Sequence, residues 1–206
     1  MSKTLLLTGA SGYIAGHLIP ALKDQAGTLI GVDRRQEVPE GIDSFVQGDL
    51  CDPQVARKAV AGTDQILHLA TARADWGLSE EEYYRDNLDA TRTLIEAGRK
   101  EGVTDWVFYS TVSVMGPSRE PLSEDAGFNP IEPYGASKAE AEQRFRQLAT
   151  DDPEARMLVI RPSAVYGPGN PPDTNIYRLV DAIYNRRFAV QTGEMVDTRS
   201  GTWFTD

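Results

Sequence analysis

A tyrosine and a lysine four positions apart carry the strongest chemical signal in the sequence. Tyr134 and Lys138 begin a stretch of helical character that runs through Ala141 to Leu148. Residues at this spacing share one helix face, so the lysine ammonium can stabilise a tyrosinate and lower the tyrosine pKa from its ordinary value of about 10. Tyr134 is therefore a candidate general acid and base. The alternative is a helix that begins with a core tyrosine and carries an exposed lysine.

Hydroxyl side chains follow an apolar run upstream of this helix. The run 106–110 predicts a strand, and Thr111 and Ser113 come directly after it. Open α/β sheets bind their ligands at the carboxyl ends of the strands. A hydroxyl at that position can hydrogen-bond a substrate alcohol or carbonyl while Tyr134 transfers the proton.

A turn of small residues near the N-terminus could hold a pyrophosphate. Gly9 and Gly12 follow the apolar run Leu5-Leu6-Leu7 and precede an amphipathic helical pattern. Such a turn lets the backbone approach the phosphates closely, and the helix N-terminus stabilises their charge. The motif alone is weak, because Ala15 stands where a third glycine is usual and small-residue turns also occur for structural reasons.

A carboxylate ends the second predicted strand, at residues 28–33. Asp33 lies about 20 residues after the glycine turn, where an acid accepts hydrogen bonds from the adenosine ribose, and it favours NAD. Arg34 and Arg35 follow it and could instead hold a 2′-phosphate, which leaves NADP open. The alternative for the two arginines is a solvated loop pair.

These candidate residues need a sheet whose strands end at one edge. Asp52 and Pro53 start a helix as N-cap and first helical residue, and Ser79 with Glu82 has capping-box spacing for a helix that runs toward Gly102. Alternating strands and helices predict an α/β fold, a doubly wound parallel sheet with helices on both faces. After the strand that begins with the Leu5 run, strands are predicted at 28–33, 44–47, 65–70 and 106–110.

Composition argues against several classes of function. The 206 residues carry a net charge of −10, which opposes binding to nucleic acid. Cys51 is the single cysteine, so neither an internal disulfide nor a cysteine zinc site can form. His17 and His68 lie in regular apolar elements, so packing is expected there and no metal site is predicted. No apolar run reaches the length of a membrane span, and a cytoplasmic protein is expected.

The order of these motifs resembles the extended short-chain dehydrogenase/reductase family, and within it the NAD-dependent sugar epimerases and dehydratases. The resemblance spans nearly the whole chain and implies a Rossmann fold. The matching pieces are residues 8–14, Asp33, residues 48–50 and 68–70, Asn87, Ser110 and Thr111 with Gly116, residues 134–138, Arg161 with Pro162, and residues 165–169.

The resemblance also implies roles for individual residues. It makes Tyr134 the catalytic acid and base and Lys138 the residue that lowers its pKa and contacts the nicotinamide ribose. Thr111 occupies the position of the family's catalytic serine or threonine. Hydride transfer between a substrate carbon and the nicotinamide accompanies proton transfer through Tyr134. The expected contacts of the cofactor, NAD or alternatively NADP, are Gly9, Ser11, Gly12, Tyr13, Ile14, Asp33, Arg34, Asp49, Leu50, Leu69, Ala70, Thr71, Asn87, Tyr134, Lys138 and Pro162.

The resemblance further implies a division of the chain. Residues 1–162 are expected to form the NAD(P)-binding Rossmann domain and residues 163–206 the incomplete start of a substrate-binding portion, with most of its C-terminal lobe absent. Ser113 and Arg199 are candidate substrate contacts. A homodimer is expected through the helices near residues 82–100 and 134–148.

Three functions follow as hypotheses. The first is epimerase or dehydratase chemistry on a hydroxyl or keto group of a nucleotide sugar. Ala164 and Met115 depart from that group, since many of its members have asparagine and tyrosine there, and Ala164 better suits the second hypothesis, a reductase of a non-sugar carbonyl compound. The third is a non-catalytic NAD(P)-binding module, because the cofactor residues lie within the chain while most of the substrate wall does not.

Overall fold

Six parallel strands form one sheet in a computed structural model that describes residues 3–73 and 77–185. Their order is β3-β2-β1-β4-β5-β6, so the direction of strand succession reverses between β1 and β4. The strands are β1 (Thr4–Thr8), β2 (Thr28–Asp33), β3 (Ser44–Gln47), β4 (Gln65–His68), β5 (Asp105–Tyr109) and β6 (Arg156–Ile160). The predicted doubly wound parallel sheet is confirmed, and its ligand crevice lies at the carboxyl ends of β1 and β4.

Helices cover both faces of this sheet, as predicted. The second, fourth and fifth helices pack on one face, and the first packs on the other. The helices are α1 (Tyr13–Lys23), α2 (Pro53–Val60), α3 (Glu80–Tyr83), α4 (Ala90–Glu101), α5 (Pro133–Asp151) and α6 (Asn175–Tyr184).

Strand β1 shows how one apolar run serves two cores. Successive strand side chains point to opposite faces. Leu6 therefore packs in the core that contains Phe145 of α5, whereas Leu5 and Leu7 pack in the core that contains Ile19 of α1. All three leucines are buried, which explains why the strand reads as a continuous apolar run.

Two helices begin where their capping residues predicted. The Asp52 carboxylate accepts a hydrogen bond from the Gln54 amide at 2.8 Å, with Pro53 as the first residue of α2. Ser79 and Glu82 cap each other's backbone amides at the start of α3. Local sequence therefore fixes the start of both helices.

The helix after the capping box is interrupted, which the sequence did not predict. One helix was expected from Ser79 toward Gly102. The structure contains α3, a π-helical turn over Tyr84–Asp89, and then α4, which ends at the left-handed Gly102 (φ +86°). The π-helical turn has i→i+5 geometry, one residue longer than an α-turn. It leaves Arg85 exposed and buries Asn87.

Three further details differ from the predicted elements. Strand β4 ends at His68, two residues before the predicted end. Strand β6 and helix α6 were not predicted. Both lack a clear buried face, since β6 is a half-exposed strand at one end of the described sheet and none of the residues of α6 is buried.

Candidate active site

The predicted site residues gather at the carboxyl edge of the sheet. The turn of residues 9–12 follows β1, Asp33 ends β2, and residues 69–71 follow β4. Thr111 and Pro162 follow β5 and β6 in the same way. Because parallel strands end at the same edge, segments far apart in sequence line one crevice at the position where this class of sheet binds ligands.

The glycine turn combines a close approach of two backbone segments with a helix start that no side chain caps. Gly9 has φ +67°, and a Cβ there would lie 2.9 Å from the backbone nitrogen of Ala70. Gly12 is the N-cap of α1, and no side chain caps this helix start. The first turn, which begins with Tyr13 and Ile14, therefore directs its amide groups and dipole at the crevice without a side-chain acceptor. These features fit the phosphates of a dinucleotide.

A buried histidine fixes the segment that faces the glycine turn. The Thr8 hydroxyl accepts hydrogen bonds from the amides of residues 69 and 70 and donates to His68 Nδ1 at 2.7 Å. The Thr91 hydroxyl donates to the Asn87 carbonyl, so it accepts from His68 Nε2 at 3.0 Å. Burial and a neighbouring lysine charge lower the pKa of His68 to about 3. The neutral ring thus has one donor and one acceptor, as this chain of hydrogen bonds needs.

Asp33 joins the glycine turn to the end of β2. Its carboxylate accepts hydrogen bonds from the Ser11 amide at 3.1 Å and the Arg35 amide at 2.9 Å. The Arg35 guanidinium donates to the Ser11 carbonyl at 3.0 Å. Each carboxylate oxygen has two lone pairs, so Asp33 keeps acceptor capacity for a ribose hydroxyl. A cavity of about 310 Å³, lined by Ser11 and Val38 among others, borders the turn.

The predicted adenine contacts follow β3. Leu50 is buried in the core, whereas the Asp49 carboxylate is half-buried and polar in its surroundings. Asp49 accepts hydrogen bonds from the Cys51 amide at 2.9 Å, from Arg34 at 3.2 Å and from Arg85. Burial acts to raise the pKa of Asp49, but these hydrogen bonds and the arginine charges lower it overall. Asp49 is therefore ionised at neutral pH.

Asn87 connects the segment after β4 to α5. Its Oδ1 accepts hydrogen bonds from the Ala72 amide at 2.7 Å and from Thr71 Oγ1 at 2.9 Å. Its Nδ2 donates to Ser137 Oγ at 3.0 Å. The side chain is buried, so these polar atoms position the segment that contains Thr71. The predicted cofactor contact of Asn87 itself stays a prediction.

Gly135 brings the start of α5 against the turn that follows β5. The Thr111 hydroxyl caps this turn by accepting a hydrogen bond from the Ser113 amide at 3.2 Å. A Cβ at Gly135 would lie 2.7 Å from the Ser113 carbonyl oxygen, a distance that a side chain does not permit. The preceding residue, Tyr134, is half-buried with its ring centroid 6.0 Å from that of Tyr83. Thr111 and Tyr134 therefore lie on segments in direct contact.

Lys138 is buried at the end of β5. It is 2% exposed, its Nζ donates a hydrogen bond to the Tyr109 carbonyl at 2.7 Å, and the ammonium lies 4.3 Å from the centre of the Phe108 ring. Burial lowers the pKa of Lys138 to about 7, and the charge of Glu142 acts in the opposite direction. The alternative of an exposed lysine is therefore wrong, and the ammonium lies close to the backbone that leads into Thr111.

Sequence reasoning missed a buried carboxylate one turn further along α5. Glu142 is fully buried and accepts hydrogen bonds from Ser110 Oγ at 2.7 Å, Arg161 Nη2 at 2.7 Å and Arg146 Nη2 at 2.8 Å. Ser110 and Arg161 directly precede two predicted site residues, so Glu142 ties the ends of β5 and β6 to α5. The sequence signal that could have identified Glu142 was its spacing of four residues from Lys138, which places both on one helix face.

A second cavity, of about 380 Å³, lies between α1 and the segment after β6. Tyr13 of α1, Tyr109 and Pro162 line it. His17 Nε2 lies 3.0 Å from the Pro168 carbonyl oxygen and connects the same two segments. The predicted nicotinamide neighbour Pro162 is thus part of the wall of the crevice.

Of the two predicted substrate contacts, the structure describes Ser113 and not Arg199. Ser113 is exposed beside Thr111 at the crevice. Arg199 lies outside the described residues. Among residues 3–73 and 77–185, no group of three or more histidine, cysteine, aspartate or glutamate side chains could hold a metal ion.

Of the helices within those two ranges, none combines the length and the apolar character needed to cross a bilayer.

Residues 5–200 match the model of the NAD dependent epimerase/dehydratase family. The chain belongs to this family. The match confirms the resemblance in the motifs, and the family's dependence on NAD confirms the cofactor that Asp33 predicted.

Individual relatives agree with this family over most of the chain. An uncharacterized UDP-glucose epimerase of Bacillus subtilis (strain 168) is 29% identical over 98% of this chain and 69% of its own length. A 2-alkyl-3-oxoalkanoate reductase of Stenotrophomonas maltophilia (strain K279a) is 32% identical over 81% of this chain and 52% of its own length. The solved structure of MoeE5 in complex with UDP-glucuronic acid and NAD has a TM-score of 0.76 at 34% identity, with 87% of this chain and 60% of that chain covered. The chain thus spans between about half and two thirds of the length of these relatives.

Proposed function

We propose that the protein uses NAD to interconvert a hydroxyl and a keto group on a nucleotide sugar, in epimerase or dehydratase chemistry, with Tyr134 as the acid and base. Bound NAD supplies the hydride acceptor and donor for such a reaction. The glycine turn and Asp33 would hold its pyrophosphate and adenosine ribose. The similarity to a UDP-glucose epimerase and to the UDP-glucuronic acid complex of MoeE5 supports a nucleotide sugar as substrate.

The chain's own residues have distinct parts in this proposal. Tyr134 takes the proton of the substrate hydroxyl through its phenolic oxygen and returns it in the reverse direction. Lys138 lies one turn further along the same helix, and its positive charge favours the tyrosinate form. Thr111 positions the substrate oxygen with its hydroxyl. The segment 69–71, held by Thr8 and His68, forms the floor of the crevice.

One observation carries the proposal. The buried ammonium of Lys138 donates to the Tyr109 carbonyl, next to Thr111, at the same sheet edge as the glycine turn and Asp33. A buried lysine is costly unless its charge has a use or a partner. Its place one helical turn after Tyr134, at the sheet edge that also carries Thr111 and the glycine turn, supports a catalytic role.

The test is Tyr134→Phe, assayed with NAD and a panel of nucleotide sugars that includes UDP-glucose. We expect turnover to fall by a factor on the order of 100 to 10,000, the range supplied by general acid–base catalysis. NAD affinity, measured by calorimetry, stays within about threefold because the phenyl ring is retained.

The matched control is Tyr84→Phe. It removes a tyrosine hydroxyl that donates to Glu140 at 3.0 Å, and it should leave turnover close to that of the wild-type protein. Unchanged turnover in Tyr134→Phe would contradict the assigned role. NAD binding without turnover on any substrate would instead support a non-catalytic module.

A second candidate, reduction of a non-sugar carbonyl compound, is supported by the similarity to 2-alkyl-3-oxoalkanoate reductase. Ala164 agrees with this candidate, since it offers no amide to a substrate diphosphate. The same assay separates the two candidates when 3-oxo compounds are included with NADH. Activity on these compounds alone would favour the reductase.

The proposal also includes the organisation of the chain. Residues 1–162 bind the cofactor, and residues 163–206 contribute to the substrate side, where Ser113 and Arg199 remain candidate contacts. Two copies would associate through the outer faces of the helices near residues 82–100 and 134–148, which makes the protein a homodimer.

A further inference from the structure

Four alternating charges surround the end of the predicted adenosine site. Both terminal nitrogens of Arg34 donate to the Asp86 carboxylate, at 2.8 and 2.6 Å, and one of them also donates to Asp49 at 3.2 Å. Arg85 donates to Asp49 and to Asp86. Two arginines and two aspartates thus form a network with no net charge.

The contact between Arg34 and Asp86 is bidentate. A fork of two parallel hydrogen bonds matches the planar guanidinium to the carboxylate and fixes its orientation. The side chain of Asp86 is 13% exposed, so solvent screens this contact only in part. Hydrogen bonding to Asp86 and the charges of both aspartates raise the pKa of Arg34.

The position of Arg34 connects this network to the choice between NAD and NADP. An arginine next to the acid that ends the second strand is the group that accommodates a 2′-phosphate in NADP-binding sites. Here three hydrogen bonds from the terminal nitrogens of Arg34 already go to Asp86 and Asp49. A 2′-phosphate would have to displace a carboxylate from Arg34 and would also meet the charge of Asp33.

The neighbouring Arg35 does not take the place of Arg34 as a ligand for a 2′-phosphate. Its guanidinium donates to the Ser11 carbonyl at 3.0 Å and lies 3.8 Å from the Asp33 carboxylate. Both arginines that follow β2 are therefore turned to groups of the protein. Arg35 is bonded within the glycine turn, whereas the partner of Arg34 comes from the π-helical turn of residues 84–89.

We propose that Asp86 is a specificity-determining residue that occupies Arg34 and so makes the site select NAD over NADP. This inference rests on the proposed function, because it requires that the adenosine end of the cofactor lies at Asp33. It deepens that function by assigning the choice of cofactor to a residue 53 positions from the acid at the end of β2.

The experiment measures the dissociation constants of NAD and NADP for the wild-type chain and for Asp86→Asn. The asparagine keeps the size of the side chain and removes its charge, which weakens the two-bond contact with Arg34 and leaves the longer hydrogen bond to Asp49. We expect NADP to bind about tenfold more tightly to the variant, as one charge-assisted hydrogen bond implies. NAD affinity should change by less than about threefold.

Asp89→Asn is the matched control, because Asp89 pairs with Arg92 on the exposed side of the same helix. This variant should change neither dissociation constant.

Arg34→Ala gives a second test, and as a single variant it does not depend on the folding of Asp86→Asn. In the wild-type background it should leave the ratio of the two constants unchanged, and in Asp86→Asn it should abolish the gain in NADP affinity. A large loss of NADP affinity in the single Arg34→Ala variant would overturn the inference, since Arg34 would then already bind the phosphate. An unchanged ratio in folded Asp86→Asn would also overturn it. Absence of NAD binding to the wild-type chain would instead overturn the proposed function, and the inference with it.

Discussion

The two ends of the proposed site hold their charges in opposite ways. At the adenosine end, the arginines reach solvent: the side chain of Arg34 is 47% exposed and that of Arg85 is 50% exposed, whereas their partner Asp86 is 13% exposed. At the catalytic end, Glu142 is fully buried and the side chain of Arg161 is 9% exposed. Both ends contain carboxylates and arginines, so the difference lies in the burial of these groups.

Burial determines how much each network contributes to folding. An exposed ion pair typically stabilises a protein by less than about 1 kcal/mol, because water and salt screen the attraction. A buried charge that loses its partner costs about 3–5 kcal/mol. The adenosine end can therefore change its charges, and with them its cofactor preference, at little cost in stability. A change of charge at the catalytic end, by contrast, destabilises the folded protein.

The largest expected effect is that of Glu142→Gln at the buried end. The substitution leaves the Arg161 guanidinium buried without its counter-charge, and we expect the free energy of unfolding to fall by about 3–5 kcal/mol. Urea denaturation measures the change. Glu154→Gln, at an exposed position, should stay within about 0.5 kcal/mol of the wild-type protein. A loss below about 1 kcal/mol in Glu142→Gln would remove the contrast between the two ends.

A smaller effect is expected in the pH dependence of stability at Lys138. Its native pKa, about 7, lies below its ordinary value of 10.5, so between these values the unfolded chain binds the proton that the native chain has lost. Stability should therefore rise with pH across this window, by up to about 1.4 kcal/mol per pH unit from this group. Lys138→Met should lose this increase between pH 7 and 9, measured by urea denaturation. The exposed Lys58→Met should retain it, and equal slopes in all three proteins would contradict the lowered pKa of Lys138.

The smallest effect is expected from Arg34→Ala at the exposed end. Its ion pairs are partly screened, so we expect the free energy of unfolding to fall by less than about 1 kcal/mol, and by less again at high salt. Thermal denaturation at two salt concentrations measures this. A loss comparable to that of Glu142→Gln would show that exposure does not separate the two networks.

The parts of the fold that local sequence determines were predictable. The Leu5 run gave a strand buried on both faces, and Asp52 and Ser79 gave the starts of their helices. Strand β6 and helix α6 were not predicted although their patterns are typical of a strand and a helix: residues 157–160 form an apolar run, and Ile176, Leu179, Val180 and Ile183 have helical spacing. The π-helical turn escaped because no glycine or proline marks residues 84–89, so the sequence reads there as an uninterrupted helix.

In the site, motifs predicted positions but not partners. Tyr134, Lys138 and Thr111 came from spacing and from their place at a strand end, and the structure brings their segments together. Contacts between residues that are far apart in the sequence could not be predicted. The Glu142 network and the pairing of Arg34 with Asp86 both depend on tertiary packing, which a single sequence does not display.

The π-helical turn of residues 84–89 makes one helix contribute to both ends of the site. Asp86 bonds to Arg34 at the adenosine end, and the next residue, Asn87, bonds to Ser137 of α5 near the catalytic end. Successive helical residues are rotated by about 100° about the helix axis. Deletion of one residue from the turn would rotate this pair relative to α4 by about that angle and break both contacts together. The length of the turn is thus a requirement separate from its composition, since a change of residue alters one end while a change of length alters both.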